Sequence, residues 1–267
     1  MRKGRFAGKY YKFISQSGFS FAIIIAYSNE GKSIQLITKD CSYEIKDCDS
    51  IVIKEEKVFE FHIRQKNLNL QGTITIDKLN PLKGNVMGPF EYIPFMECKH
   101  SIYSMYHGLS GWINIGDKKI SFQNGYGYIE GDAGKNFPKK YIWYNSVLPG
   151  KTVTIAIAHI PFAFFSFTGV LCFVKTEQEE LSMCTWNGVK IRKTADGIVE
   201  LTKRKYKIHI ELDKLSGHAL KAPVQGDMKR IIKENLVVPS KYTISYDGII
   251  VLETTDPYSS CEWVDEG

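Results

Sequence analysis

The stretch that decides the fold is AGKYYKFIS at residues 7–15, followed by FSFAIIIAYS at 19–28 and SIQLITKD at 33–40. Each run is rich in β-branched and aromatic residues, which fit the pleated surface of a strand. Gly18 and the segment NEGK at 29–32 supply the turns between the runs. Similar runs recur to the end of the chain, and in several of them every second residue can face one core. The pattern predicts an all-β fold of antiparallel strands.

Turn signals and one helical pattern complete this prediction. The dipeptides Asp196-Gly197 and Asp247-Gly248 are typical of tight hairpins. The segment GDMKRIIKEN at 226–235 predicts one short helix near the C-terminus. The apolar face of this helix would consist of Met228, Ile231, Ile232 and Leu236. Many strands with a single helix indicate antiparallel meanders closed into barrels, and no internal repeat is visible in the sequence.

The bulk composition places the chain among ordinary globular proteins. Its 267 residues suffice for a sizeable core that needs no disulfide bonds or structural metal, and apolar residues make up 43%. The six cysteines form no CxxC pair, which favours a reducing cytoplasm over a disulfide-rich secreted protein. The basic N-terminus and the apolar segment 19–27 imitate a signal peptide only weakly, because SQSG interrupts them.

The segment 153–174 contains no Asp, Glu, Lys or Arg and by length alone could span a membrane. His159, Pro161 and Gly169 interrupt it, and β-branched and aromatic residues dominate both parts. Two buried strands joined by a bend are therefore the favoured interpretation.

The first candidate for chemistry is GYGYIEGDAGKNFPKKYIWYN at 125–145. Glu130 and Asp132 lie two residues apart, so a continuous strand would point both carboxyl groups to one face. Neighbouring carboxylates and an apolar setting both raise the pKa of such a group, so one of them could act as a general acid. The nearby rings belong to Tyr128, Trp143 and Tyr144. The alternative is a pair of solvated carboxylates at a hairpin end, balanced by the lysines that follow.

The second candidate is MECKHSIYSMYH at 96–107, which contains Glu97, Cys98, His100 and His107. These residue types can bind zinc, but their spacing fits no specific ligand pattern, so we predict no metal. Packing of the cysteine and hydrogen bonding of the histidines in the core is the simpler interpretation.

The net charge of +6 and the basic run 190–207 could contact phosphates. No nucleic-acid motif accompanies the charge, so it more simply marks the outer faces of strands, and we predict no nucleic-acid partner. The chain also lacks a glycine-rich phosphate loop, a serine nucleophile elbow and an HExxH motif. No cofactor is therefore predicted.

Taken together, three stretches resemble the tocopherol cyclase-like family, in the same order along the chain. They are GPFEYIPFMECKHSIYSMYHGLSGWINI at 88–115, the segment at 125–145, and LKAPVQGDMKRIIKEN at 220–235. FAGKYYKF at 6–13 is similar to the family's opening strand, so the resemblance covers nearly the whole chain. The chain departs from the family pattern at Ala7, Lys9 and Ala133.

The resemblance implies two lipocalin-like β-barrel halves, as in carotenoid hydratases and lipocalin-like pericyclases, with a boundary between residues 1–136 and 137–267. It also implies an apolar pocket for a hydrophobic small molecule such as a prenylated quinol. A cyclase would protonate an alkene of the prenyl tail, after which a phenol oxygen would capture the cation. The open alternatives are a non-catalytic lipocalin-like carrier and a related hydratase or pericyclase.

On this interpretation the catalytic candidates are Glu130, Asp132 and His107. The ligand-binding candidates are Glu97, His100, Trp112, Tyr128, Trp143, Tyr144 and Asn145. The sequence leaves open whether the protein is an enzyme, whether it contacts a membrane surface and how many copies assemble.

Overall fold

The computed structural model describes residues 4–94, 96–162, 165–213 and 215–265. These residues form two antiparallel sheets of ten strands each, curled into two half-barrels. The first sheet contains β1 (Phe6–Ile14), β2 (Ser20–Ser28), β3 (Gly31–Thr38), β4 (Ser42–Ile45), β5 (Ile51–Lys54), β6 (Val58–Gln65), β7 (Leu68–Ile76), β8 (Cys98–Ile115), β9 (Lys118–Ser121) and β10 (Gly125–Gly134). The predicted all-β class is confirmed.

The second sheet contains β11 (Lys140–Leu148), β12 (Lys151–Phe162), β13 (Phe165–Thr176), β14 (Glu180–Ser182), β15 (Lys190–Ala195), β16 (Ile198–Lys203), β17 (Tyr206–Leu212), β18 (His218–Val224), β19 (Asp227–Tyr246) and β20 (Ile249–Asp265). Short 3₁₀ segments lie at Cys48–Ser50, Gly88–Tyr92 and Thr185–Asn187. The apolar segment 153–174 falls within β12 and β13, so the two strands are confirmed for its described residues. The strands are buried only away from the bend, since Phe165 is 60% exposed.

The two sheets repeat one topology. The first has the strand order β4-β3-β2-β1-β10-β8-β7-β6-β5, with β9 paired to β8. The second has the order β14-β13-β12-β11-β20-β19-β17-β16-β15, with β18 paired to β19. Strand β11 thus takes the place of β1, and β20 takes the place of β10. This structural repeat was not visible in the sequence.

The predicted tight hairpins are confirmed at both dipeptides. Asp196 and Gly197 have φ values of 56° and 75°, and Asp247 and Gly248 have values of 54° and 83°. Two successive residues with positive φ define the turn whose twist matches that of paired strands.

The predicted helix at residues 226–235 is wrong, because this segment is the start of the 20-residue strand β19. Met228 and Ile232 are both buried, and their spacing of four residues fits a strand as well as a helix. Ile231, which the helical pattern placed on the same face, is 57% exposed. Pairing with β18 along residues 227–234, and with β20 from Glu234 onward, supplies the hydrogen bonds that a helix would have made internally.

Three apolar clusters hold the molecule together. One lies inside the first sheet around Phe13 and Phe59, and another lies inside the second sheet around Tyr144 and Ile155. The third joins residues of both sheets, including Tyr10. Within the described residues, no helix is long and apolar enough to cross a membrane.

Candidate active site

A pocket of about 1280 Å³, measured out to its open mouth, lies between the two sheets. Its walls are mainly apolar, with Ile24 and Met87 from the first half and Ile157, Leu171 and Ile232 from the second. Its apolar lining suits a hydrophobic small molecule. The polar groups in its wall are few, which makes each of them informative.

Strand β10 delivers two carboxyl groups to this pocket. Glu130 and Asp132 alternate with glycine and both line the pocket, because residues two apart on a strand share a face. The neighbouring strand β8 places His100 directly opposite Asp132 in the pairing register. The sequence pattern therefore brings three ionisable side chains to one point of the wall.

Glu130 is 5% exposed and accepts several donors at one oxygen. Its Oε2 accepts hydrogen bonds from the Tyr128 hydroxyl at 2.7 Å and from Nε1–H of Trp143 at 3.0 Å. Nε2 of His100 lies 3.5 Å from the same oxygen. No described residue forms a hydrogen bond with Oε1 of Glu130. That oxygen is therefore the one that can carry a proton.

The surroundings of Glu130 raise its pKa above that of an ordinary glutamate. Burial raises its pKa; the charge of His100 opposes this, and the neighbouring Asp132 adds to it. The hydrogen bonds from Tyr128 and Trp143 also lower the pKa, and the balance of these effects is a pKa of about 7. Glu130 can therefore hold a proton near neutral pH, where ordinary glutamates are ionised.

His100 bridges the two carboxyl groups. Its Nδ1 lies 3.0 Å from Oδ1 of Asp132, while its Nε2 faces Glu130. Burial alone would lower the pKa of His100, but the charges of Asp132 and Glu130 outweigh burial and raise it to about 9. The ring is therefore a cation at neutral pH.

We expect Asp132→Asn to lower the pKa of His100 by about 1–3 pH units, because it removes the carboxylate next to Nδ1. NMR titration of isotope-labelled histidine measures this change, and a His100→Gln variant assigns the resonance. Glu97→Gln is the matched control and should leave the titration unchanged. A wild-type His100 that titrates near the ordinary histidine value would contradict the bridging arrangement.

His100, Glu130 and Asp132 also have ligand atoms that all lie within 4.8 Å of one another, close enough to hold a metal ion. The geometry fits a protonated ring better than a metal ligand. The two nitrogens of His100 face different carboxyl groups, and a ring with a raised pKa has no free lone pair near neutral pH. The oxygen of Glu130 that faces the ring is already occupied by two donors.

The two halves exchange hydrogen bonds at the pocket. Trp143 of the second half donates to Glu130, and Tyr10 of the first half donates to Oε1 of Glu234 at 2.6 Å. The rings of Tyr10 and Trp143 meet edge to face with centroids 5.4 Å apart. Each half therefore completes the polar contacts of the other, and the site exists only when both are docked.

A second carboxyl group, Glu262, lines the pocket from strand β20. Glu262 is paired in register with Trp143, as Glu130 is paired with Tyr10, so the two glutamates occupy equivalent places in the repeated topology. Burial and the charge of Glu234 raise the pKa of Glu262, and it accepts a hydrogen bond from Tyr141. It has no partner comparable to His100 among its described contacts.

The structure thus brings together five of the residues that the sequence singled out. Glu130, Asp132, His100 and Trp143 line the pocket, and Tyr128 lies behind Glu130 as its hydrogen-bond donor.

Two further candidates face away from the pocket. Trp112 is 42% exposed beneath the amino group of Lys119. Tyr144 points into the core of the second sheet, where its hydroxyl pairs with Ser240 at 2.9 Å.

The other three candidates are not among the residues that line the pocket. His107 is buried with Nδ1 3.0 Å from Ser104, and burial lowers its pKa to about 3, so it is neutral. Asn145 is buried, and neither amide atom has a partner among the described residues. Glu97 accepts a hydrogen bond from Asn136 at 3.2 Å.

Sequence reasoning missed Tyr10, Tyr141, Glu262 and the fully buried Lys12. Alternation in KYYKF at residues 9–13 could have indicated that Tyr10 and Lys12 share a face. A carboxylate flanked directly by Cys261 and Trp263 was a second unused signal. Only the docking of the halves shows that Tyr10 meets Glu234 and that Lys12 meets the carbonyl of Tyr258.

Comparison with solved structures finds the same fold in other proteins. Kievitone hydratase from Nectria haematococca superimposes with a TM-score of 0.59 at 11% identity, over 98% of this chain and 89% of that one. An AttH-type protein of Nitrosomonas europaea gives 0.55 at 10% identity, over 97% and 92%. CghA gives 0.62 at 7% identity, over 98% and 89%, and was also solved with Sch210972.

These similarities cover whole chains and show the fold, two lipocalin-like halves in one polypeptide. The identities are too low to carry an activity from one chain to the other. No protein family matches the chain by sequence, and no curated protein matches it.

Proposed function

We propose that this protein is an enzyme that binds a hydrophobic, isoprenoid-like small molecule between its half-barrels and protonates a carbon–carbon double bond with Glu130. Water or an oxygen of the substrate then adds to the resulting cation. The observation that carries the proposal is a buried glutamate in an apolar pocket wall, whose hydrogen bonds and neighbours set its pKa near neutral pH. A hydratase among the structures of this fold supports the same chemical class.

The hydrogen bonds of Glu130 suit a proton donor. Tyr128 and Trp143 bind Oε2, which leaves the proton on Oε1. Once the proton has left, both donors stabilise the new carboxylate, and the cationic ring of His100 adds its charge. Groups fixed in advance around the developing anion lower the barrier to transfer.

The electron balance of the step is simple. The π pair of the alkene forms a new C–H bond with the proton of Glu130, and the adjoining carbon becomes a tertiary cation. The rings of Tyr10, Tyr141 and Trp143 line the pocket and can stabilise that charge through their faces. The capturing oxygen forms the C–O bond and returns its proton to Glu130, so the enzyme is restored.

The source of the capturing oxygen decides between two products. If water enters, the product is a tertiary alcohol, as expected of a hydratase. If the pocket excludes water, a phenol oxygen of the substrate closes a ring, as the tocopherol cyclase-like resemblance suggests. A carrier without chemistry would use the same apolar walls but would have no need for a protonated carboxyl group next to a cation.

Incubation with a farnesylated hydroquinone as probe, followed by mass spectrometry, tests the proposal. Hydration adds the mass of one water, whereas cyclisation leaves the mass unchanged but alters the retention time. Native mass spectrometry of the protein from its own host shows which hydrophobic molecule it carries. A bound molecule that is recovered unaltered after prolonged incubation would favour the carrier.

The catalytic efficiency kcat/KM should fall as the pH rises through the pKa of Glu130. Because only protonated Glu130 can donate, kcat/KM should fall about tenfold for each pH unit above the pKa of about 7. Below that pH the rate should level off, since the acid is then fully protonated. Glu97→Gln should show the same profile as the wild type. A rate that is flat across neutrality would exclude Glu130 as the acid.

A further inference from the structure

Most polar groups in the pocket wall already have partners within the protein. The indole N–H of Trp143 donates to Glu130, and the side-chain amide of Gln35 pairs with the backbone of Lys221. Groups that are engaged in this way have little hydrogen-bonding capacity left for a bound molecule. The exceptions are single oxygens of carboxyl groups.

Glu262 has one of these oxygens. It lines the pocket from β20, and its Oε2 accepts a hydrogen bond from the Tyr141 hydroxyl. No described residue forms a hydrogen bond with its Oε1. Glu130 also has a free oxygen, but the proposed reaction uses the proton of that group. Glu262 is therefore a polar group of the wall that the proposed chemistry leaves without a role.

A second carboxyl group lies directly beside Glu262. Glu234 of β19 is paired with it in register, so the two side chains share a face with their Cβ atoms about 5 Å apart. Glu234 is fully buried. In such a setting each carboxylate disfavours the ionisation of the other, so one of the two keeps a proton.

The surroundings of the pair assign this proton to Glu262. Glu234 accepts a hydrogen bond from Tyr10, and the charge of the buried Lys12 favours its ionised form, so burial raises its pKa only to about 7. Burial and the charges of Glu234 and Glu130 raise the pKa of Glu262 well above the usual range. No described cation forms an ion pair with Glu262.

The cations around the pocket are engaged elsewhere. Lys9 pairs with Glu56 at 3.0 Å, and Lys221 pairs with Glu44 at 2.8 Å. The guanidinium group of Arg230 donates to two backbone carbonyls. None of these contacts offsets the charge that an ionised Glu262 would place in the apolar wall.

We propose that Glu262 is a ligand-binding residue, a neutral carboxylic acid that donates a hydrogen bond from Oε1 to a hydroxyl or carbonyl oxygen of the bound molecule. This role rests on the proposed function and narrows its substrate class to isoprenoid-like molecules with an oxygen-bearing head group. A molecule that fills the pocket also displaces water, which favours the neutral acid further. A hydroquinone has two hydroxyl groups, so one held by Glu262 leaves the other for the capture step.

Binding of two probes, measured by quenching of tryptophan fluorescence, tests the hydrogen bond. Farnesylated hydroquinone carries oxygen, whereas farnesylbenzene has the same tail and none. Glu262→Met keeps the length of the side chain but has no donor. The dissociation constant of the hydroquinone should therefore rise about tenfold, the usual effect of losing one buried hydrogen bond, and that of farnesylbenzene should change less than about threefold.

Glu262→Gln is the matched control. Its amide keeps an N–H donor for the ligand and a carbonyl oxygen for Tyr141, so both probes should bind within about threefold of the wild type. Circular dichroism should confirm that both variants fold.

Infrared spectroscopy tests the protonation of Glu262 without a ligand. At pH 8 the wild type should show the C=O stretch of a protonated carboxyl group. This band should disappear in Glu262→Gln and remain in Glu130→Gln. Addition of the hydroquinone should move it to lower frequency, because a new hydrogen bond weakens the C=O bond.

Equal weakening of both probes by Glu262→Met would overturn the proposal, because the change would then lie in the shape of the pocket. A wild type without the Glu262 band at pH 8 would overturn it as well. Neither measurement uses turnover. An inactive wild type that shows the band and loses only hydroquinone affinity in Glu262→Met would count against the chemistry of Glu130 and support the role of Glu262.

Discussion

Glu130→Gln should lower turnover of a farnesylated hydroquinone by about 10²–10⁴-fold, the usual contribution of a positioned acid. Glutamine has nearly the same shape, and its carbonyl oxygen can still accept from Tyr128 and Trp143. It has no acidic proton for the alkene, so only the chemical step is removed. Binding of the probe, measured by quenching of the pocket tryptophan, should stay within about threefold of the wild type, because the apolar walls are unchanged.

Glu262→Gln tests which of the two glutamates that line the pocket is the acid. If Glu130 is the acid, the Glu262 variant should retain most of the activity, since its carboxyl group lacks the neighbouring histidine cation. Loss of turnover in Glu262→Gln together with wild-type turnover in Glu130→Gln would show that the acid belongs to the second half. Full activity in both variants would show that neither carboxyl group is the acid and would overturn the proposed mechanism.

Phe13→Ala should destabilise the protein by about 3–5 kcal/mol, the cost of removing a buried phenylalanine from a packed core. Phe13 is fully buried, stacks on Phe21 with centroids 4.8 Å apart and meets Phe59 edge to face at 5.2 Å. For a chain of this size, each kcal/mol lowers Tm by about 2–4 °C. Urea titration followed by tryptophan fluorescence and circular dichroism measures the loss.

Tyr27→Ala is the control for this prediction, because it removes an aromatic ring that is 52% exposed on the same sheet. It should change the free energy of unfolding by less than about 1 kcal/mol. Both probes should show one transition, since the bonds from Tyr10 to Glu234 and from Trp143 to Glu130 couple the halves. A second transition that Phe13→Ala leaves in place would show that the halves unfold independently.

The fold class could be predicted because each strand carries its own signal. Alternation and turn residues are local, and the two Asp-Gly hairpins show positive φ at both positions as expected. The failure at residues 226–235 has an equally physical cause. Residues four apart lie on one face of either a helix or a strand, so the spacing of Met228 and Ile232 does not distinguish the two. The burial of Glu234 on the same face of β19 is a finding of the structure that a charged residue in the sequence does not predict.

The candidate site was predictable only where it lies on one strand. Glu130 and Asp132 share a face by spacing alone, and Tyr128 joins them two residues earlier. His100 required the pairing of β8 with β10, and Trp143 required the docking of two sheets. Tryptophans and histidines such as Trp112 and His107 have the right chemistry, but nothing local tells whether they face the pocket or lie elsewhere.

The division of the site between the two sheets has a consequence for the newly made chain. All strands of the first sheet precede Trp143 in the chain, so Glu130 faces water until the second sheet has formed and docked. A hydrated glutamate is ionised in the cell and donates no proton. The buried environment that raises the pKa of Glu130 is complete only when the last strand, which carries Glu262, has paired with β11, so we expect an incomplete polypeptide to keep Glu130 ionised.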